Sequence, residues 1–255
     1  MPVHSARETP MDFRKLASAF APIMAMGMST MLSGCHDAEL AINGEAGKPL
    51  SELDLSGPAP DSLVLLGPDS VKIETGEKLA IRLEGNPDQA AHLRFTLKEG
   101  RLGILRDRKG WGTGEAVTVL VTMPAPKSLT MTGSGRITAV GLAPRAEINI
   151  VGSGDIETPQ VAGNRLEVSI GGSGTYRGAG HTDDLSVNIA GSGSAEMAAL
   201  KADKADISIL GSGGAQFASD GTVKASMMGS GSVRVKGRAK CEVSAVGSGK
   251  LVCEP

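Results

Sequence analysis

The sequence is short of aromatic side chains. Its 255 residues include one Trp, one Tyr and four Phe. A core leaning on stacked rings is excluded, and burial has to come from Val, Ile, Leu, Ala and Met. Cysteine is scarce as well: Cys35, Cys241 and Cys253 are the full set, too few for a disulfide-framed miniature fold or a Cys-rich zinc module. The four histidines are scattered, with no spacing typical of a zinc site. Charge of either sign is muted. The net charge is −2 and Lys and Arg are spread along the chain, which gives no nucleic-acid footprint. After residue 35 no apolar run approaches the ~20 residues of a spanning helix. Apolar residues still make up 40% of the chain, so disorder by composition is excluded too.

What the chain has instead is glycine, 35 in all, much of it in one recurring triplet. Gly133-Ser134-Gly135, Gly152-Ser153-Gly154, Gly172-Ser173-Gly174, Gly191-Ser192-Gly193, Gly211-Ser212-Gly213, Gly229-Ser230-Gly231 and Gly247-Ser248-Gly249 are spaced by 18 to 20 residues. A fixed period of this size marks a solenoid in which each repeat is one coil. Two and four residues before each triplet stand apolar residues, as in Ile148 and Ile150 or Val187 and Ile189. Between them stands a small polar one: Thr130, Asn149, Ser169, Asn188, Ser208, Ser226 and Ser244. That is the period-two alternation of a strand with one face in and one face out. The outward Thr/Asn/Ser ladder is expected to be a rigid, small-polar surface. Each triplet is expected to turn the corner into a second strand, glycine allowing positive φ and close approach of rungs. The stacked serines are expected to hydrogen-bond along the axis or to corner backbone.

Residues facing each other across the interior also complement in size, Ala205 with Phe217 and Leu166 with Gly178, as a narrow core of constant volume requires. The last such pair is Cys241 with Cys253, expected to form a disulfide across the final coil in an oxidising compartment. Residues 60–126 are strand-rich but carry no triplet. They read as irregular early coils of the same body, ahead of the regular repeats at 127–255. The fold class is therefore all-β, a single β-solenoid.

The N-terminus is a processing segment. Arg14 and Lys15 precede an apolar stretch that ends in Leu32-Ser33-Gly34-Cys35. The pattern resembles a bacterial lipoprotein leader, with residues 1–34 as signal peptide and Met11 as the better-placed start. The resemblance implies that Cys35 is acylated. It also implies an outer-membrane address, since His36 stands where an inner-membrane protein has Asp. Residues 35–59 would be a polar tether. The leader, the irregular lead-in, "VTMPAPKSLTMTGSG" around Pro124, Leu129 and Gly133, and the stacked triplets together resemble the auto-transporter adhesin head (GIN) domain family, over roughly residues 50–255. The resemblance implies an envelope β-solenoid and supplies no catalytic residues.

No chemistry stands out. The triplets lack the G-x-S-x-G elbow of a nucleophilic serine, and His181 with Asp183 and Asp184 reads as a polar turn. Asp155 follows one triplet alone, which excludes a calcium ladder. No cofactor and no metal are expected. Arg106, Arg108, Lys109 and Trp111 cluster in "LRDRKGWGTG", which reads first as a solvated hairpin tip with the Trp packed on its own strand and second as a contact loop able to anchor an anionic glycan, headgroup or protein. The expected function is a lipid-anchored, non-enzymatic envelope module for adhesion to an unidentified protein or glycan. A periplasmic scaffolding lipoprotein is the first alternative and a lyase-like enzyme on polysaccharide the second. Acids and bases converging on one groove would mark the enzyme.

Overall fold

The alternation before each triplet becomes a strand because its apolar residues can be covered only from one side. The computed structural model describes residue 42 and residues 47–110 and 114–255; the leader, Cys35 and Trp111 lie outside the described residues. Within them the regular region comprises β7 (Ser128–Gly133), β8 (Arg136–Ala139), β9 (Arg145–Gly152), β10 (Asp155–Gly172), β11 (Thr175–Gly191), β12 (Ser194–Gly211), β13 (Gly214–Ala218), β14 (Thr222–Gly229), β15 (Ser232–Lys236), β16 (Lys240–Gly247) and β17 (Lys250–Glu254). Every pairing among them is parallel. The register stacks like on like: Gly152 lies over Gly172, and Ile150 over Ile170. Leu129, Met131, Ile148, Ile150, Val168 and Ile170 have no exposed surface. They belong to one continuous core that runs from Leu63 to Val235.

The triplets are corners, and the backbone closes them. At Gly172 φ is +118°, and a Cβ there would sit 2.5 Å from the carbonyl oxygen of Gly152 one rung below. At Gly174 a Cβ would sit 2.5 Å from Cγ2 of Ile150 and 2.6 Å from the oxygen of Gly154. The first glycine thus answers a backbone conformation and a close approach, the third a tight packing of rung on core. The Ser173 N–H donates to the Gly152 carbonyl at 2.8 Å, and the same bond recurs at each triplet above it. The serine hydroxyls, expected to form a ladder, make no hydrogen bond among the described residues. They face solvent in every triplet, because the backbone ladder already satisfies the corner.

The lead-in belongs to the same stack but out of chain order. β1 (Ser62–Gly67) pairs in parallel with both β5 (Arg101–Arg106) and β7. β2 (Ser70–Thr75) likewise pairs in parallel with both β6 (Thr118–Met123) and β8. The coil nearest the N-terminus is therefore second in the stack, inserted between the β5–β6 coil and the first triplet coil. Gly67 stacks on Gly133, so Gly67-Pro68-Asp69 is a corner of the same column without the repeat's letters. β3 (Ala80–Glu84) runs antiparallel to β6, and β4 (Leu93–Lys98) antiparallel to β5. Together with the helical turn Pro87–Ala90 they cover this end of the stack and blunt its open strand edges.

At the other end Cys241 and Cys253 are joined by a disulfide across the last coil. Inward positions there are less covered than in the coils before: Val243 is 43% exposed, whereas its counterpart Ile207 is 1%. No described residue packs a further rung against it.

Candidate functional site

The corner column holds the features that distinguish one rung from another. Its first member lies between β5 and β6, where residues 106–110 and 114–117 are described. Arg106, expected on the loop surface as a contact residue, is instead 1% exposed. Its Nε and Nη2 donate to the two carboxylate oxygens of Asp69, itself fully buried, at 2.7 and 2.6 Å. Nη1 reaches Gln89 and the Gly110 carbonyl, and Nη2 the Glu115 carbonyl. Asp69 also accepts from the Val117 N–H at 2.8 Å. A charge run such as RDRK resembles a solvated tip, but here its first member is buried because Asp69 occupies the neighbouring corner. The Asp69 partner holds the Arg106 guanidinium above its ordinary pKa, against the opposing effect of burial.

Asp107 fixes the loop from outside. It accepts from Arg94 Nη2 at 2.6 Å and from the Gly110 N–H at 3.0 Å, and its Oδ1 lies 3.0 Å from His92 Nδ1. Burial alone would push its carboxyl up, but the Gly110 N–H, Arg94 and His92 outweigh it and hold the group below its ordinary pKa. Of the four contact residues expected in this loop, Lys109 is exposed, Arg106 is structural, and Trp111 and the Arg108 side chain fall outside what is described.

The Thr/Asn/Ser ladder differs from expectation along its length. Thr130, Asn149, Ser169 and Asn188 are 1–5% exposed, so the early half is no open polar surface. Small side chains there sit in slots between rungs about 4.8 Å apart, and Glu147 leans over Asn149 to accept its amide at 2.8 Å. From Ser208 on the ladder emerges into half-exposed positions. Beside it a stripe went unread in the sequence: the residue just before each triplet also faces outward. On the later rungs it is apolar, with Leu210 over Met228 over Val246. Leu210 is 41% and Val246 55% exposed. Alternation places these positions outside, and the apolar residues Leu210, Met228 and Val246 standing there were the available signal.

His181, Asp183 and Asp184, expected in a polar turn, lie instead inside the continuous strand β11. Thr182 stacks on Ala202 and Asp184 on Lys204, which brings Asp203 of the next rung beside His181 and Asp183. Spacing along the chain hides this neighbourhood, because its members are one coil apart. Elsewhere an open depression of about 400 Å³ lies at the covered end. Leu50, Leu83, Ala90 and Leu93 help line it, and no acid or base does. No described helix is long and apolar enough to cross a membrane.

The comparisons agree with this architecture. The family model described as "Putative auto-transporter adhesin, head GIN domain" matches residues 59–239. Among solved structures, a protein described as a putative adhesin from Bacteroides fragilis superimposes with a TM-score of 0.72 at 19% identity. The match covers 77% of this chain and 93% of that one. One described as a putative adhesin from Parabacteroides merdae gives 0.62 at 18% identity, over 77% and 92%. One described as a putative lipid binding protein from Parabacteroides distasonis gives 0.59 at 21% identity, over 78% and 93%. At these identities the likeness is one of fold. Comparison with curated proteins gives no match.

Proposed function

The chain belongs to the auto-transporter adhesin head GIN domain family, and from that premise we propose that it is a non-enzymatic surface-interaction module. In this reading it is held to the bacterial envelope by acylated Cys35 and binds a protein or glycan surface. The observation that carries the reading is the face beside the corner column. Serine hydroxyls without partners run along it rung after rung, next to exposed Leu210 and Val246. A row of polar and apolar groups on a rigid sheet suits a broad, repetitive partner rather than a small substrate.

The test has two parts. Protease shaving of intact cells digests the body if it faces outward, and Cys35→Ser releases it from the membrane fraction. Survival until the outer membrane is opened would replace adhesion with a periplasmic role. In a cell-surface binding assay, Leu210→Asp with Val246→Asp abolishes binding while leaving the circular dichroism spectrum unchanged. Retained binding would rule out this face.

A further inference from the structure

We infer that the last coil, β16 with β17, is a dimer interface: its open rung pairs antiparallel with the same rung of a second copy of this chain. The two ends of the stack are finished differently. At the first end β3, β4 and the helical turn Pro87–Ala90 cover the strand edges. At the last, β16 and β17 stack in unbroken register on β14 and β15, and no described strand pairs with their outer edges. The devices that keep such an edge single are missing. Neither strand contains proline or a bulge, and the inward positions Cys241, Val243, Ala245, Leu251 and Cys253 carry no charge. Val243 is 43% exposed, whereas Ala225 and Met227 one rung earlier are 2% and 1%. The Cys241–Cys253 disulfide closes this coil on itself and holds both edges as one template.

The charges say what fits this edge. β17 reads Lys250-Leu251-Val252-Cys253-Glu254, a strand that complements itself when reversed. Antiparallel pairing about Val252 sets Lys250 against Glu254 of the second copy, and by symmetry the reverse. The two Val252 side chains, each 38% exposed, meet on the axis. Within its own stack Lys250 lies beside Ser232, so its acidic cross-strand neighbour is the one the second copy brings. Opposite charges facing each other across a ladder stabilise it. The disulfide places Cys241 across the coil from Cys253, so an axis through Val252 passes β16 at Glu242. There the two Glu242 carboxylates meet with Lys240 of each copy on the diagonal, which balances the outer face. Inside, Val243 and Leu251 of both copies close one shared core. A two-fold contact of this kind is self-complementary and stops at two copies. Head-to-tail growth is blocked, because β3 and β4 already occupy the other end.

Sedimentation equilibrium of the full-length chain over micromolar concentrations tests this. The expected result is a monomer–dimer equilibrium with no larger species. Glu254→Lys, which sets lysine against lysine at both symmetric positions, should raise the dissociation constant by about tenfold or more and leave the circular dichroism spectrum unchanged. Lys250→Glu combined with Glu254→Lys exchanges the partners and should restore dimerisation to within about threefold of the parent value. Three outcomes overturn the proposal. One is a monomer at every concentration, which would leave the edge to a strand from elsewhere in this chain or from another protein. The others are a dimer indifferent to Glu254→Lys and a loss that the exchanged pair does not restore.

Discussion

A methyl group added at the third position of a corner has no free space to enter. Gly174→Ala would press on Ile150 and on the Gly154 carbonyl, both held by rungs that cannot spread without breaking their ladder. The expected cost is about 1–3 kcal/mol. Ser173→Ala, one residue away, removes an exposed hydroxyl without a partner and should change stability by less than about 0.5 kcal/mol. Urea unfolding of the two variants side by side measures the contrast; equal losses would return the serine to a structural role. The same scale governs Arg106 and Asp69. Asp69→Ala strands a buried guanidinium, at an expected cost of about 3–5 kcal/mol. Combining it with Arg106→Met should cost much less than the two single changes added together, as a double-mutant cycle would show. Tyr176 is another case of local fit. Its buried hydroxyl meets Thr158 at 2.6 Å, and Gly178 leaves room for its ring, since a Cβ there would lie 2.8 Å from that hydroxyl. Burial pushes the Tyr176 phenol well above its ordinary pKa.

Elements divide into those the repeat announces and those it conceals. The corner after β5 depends on the Asp107 carboxylate. Its folded pKa is depressed, so its contribution is complete above the ordinary carboxylate value of about 3.9 and is lost as the pH falls below it. Acid titration should loosen this loop before the coils melt, with Trp111 fluorescence changing ahead of the far-ultraviolet circular dichroism. Coincident transitions would mean that Asp107 does not hold the loop. At the far end, reducing the Cys241–Cys253 bond should raise hydrogen exchange in β16 and β17 and leave β10 to β12 protected, since a solenoid frays from its terminal coil.

The triplet coils were legible because seven copies in phase leave one architecture. The β1–β2 coil was not: Gly67-Pro68-Asp69 has the geometry of the column without its letters, and nothing local says that β5 and β6 stack outside it. Arg106 was misplaced for a related reason, because its partner is 37 residues earlier. The nearness of His181 and Asp203 needed the stacking register of β11 on β12, which the chain shows only once folded. In the Thr/Asn/Ser ladder alternation gave the face correctly, but covering by neighbours such as Glu147 was invisible to it.

At the scale of the whole molecule, the insertion of the β1–β2 coil between its neighbours has a mechanical consequence. If the N-terminal segment is a leash and the later coils hold a partner, tension enters at opposite ends of the stack. At the far end load would peel rungs singly, and the Cys241–Cys253 staple takes the residues between the two cysteines out of the load path. Near the leash the first strand is gripped on both edges, by β5 and by β7. Drawing it out means shearing two ladders at once instead of unzipping one. The body is thus strongest where a leash would pull.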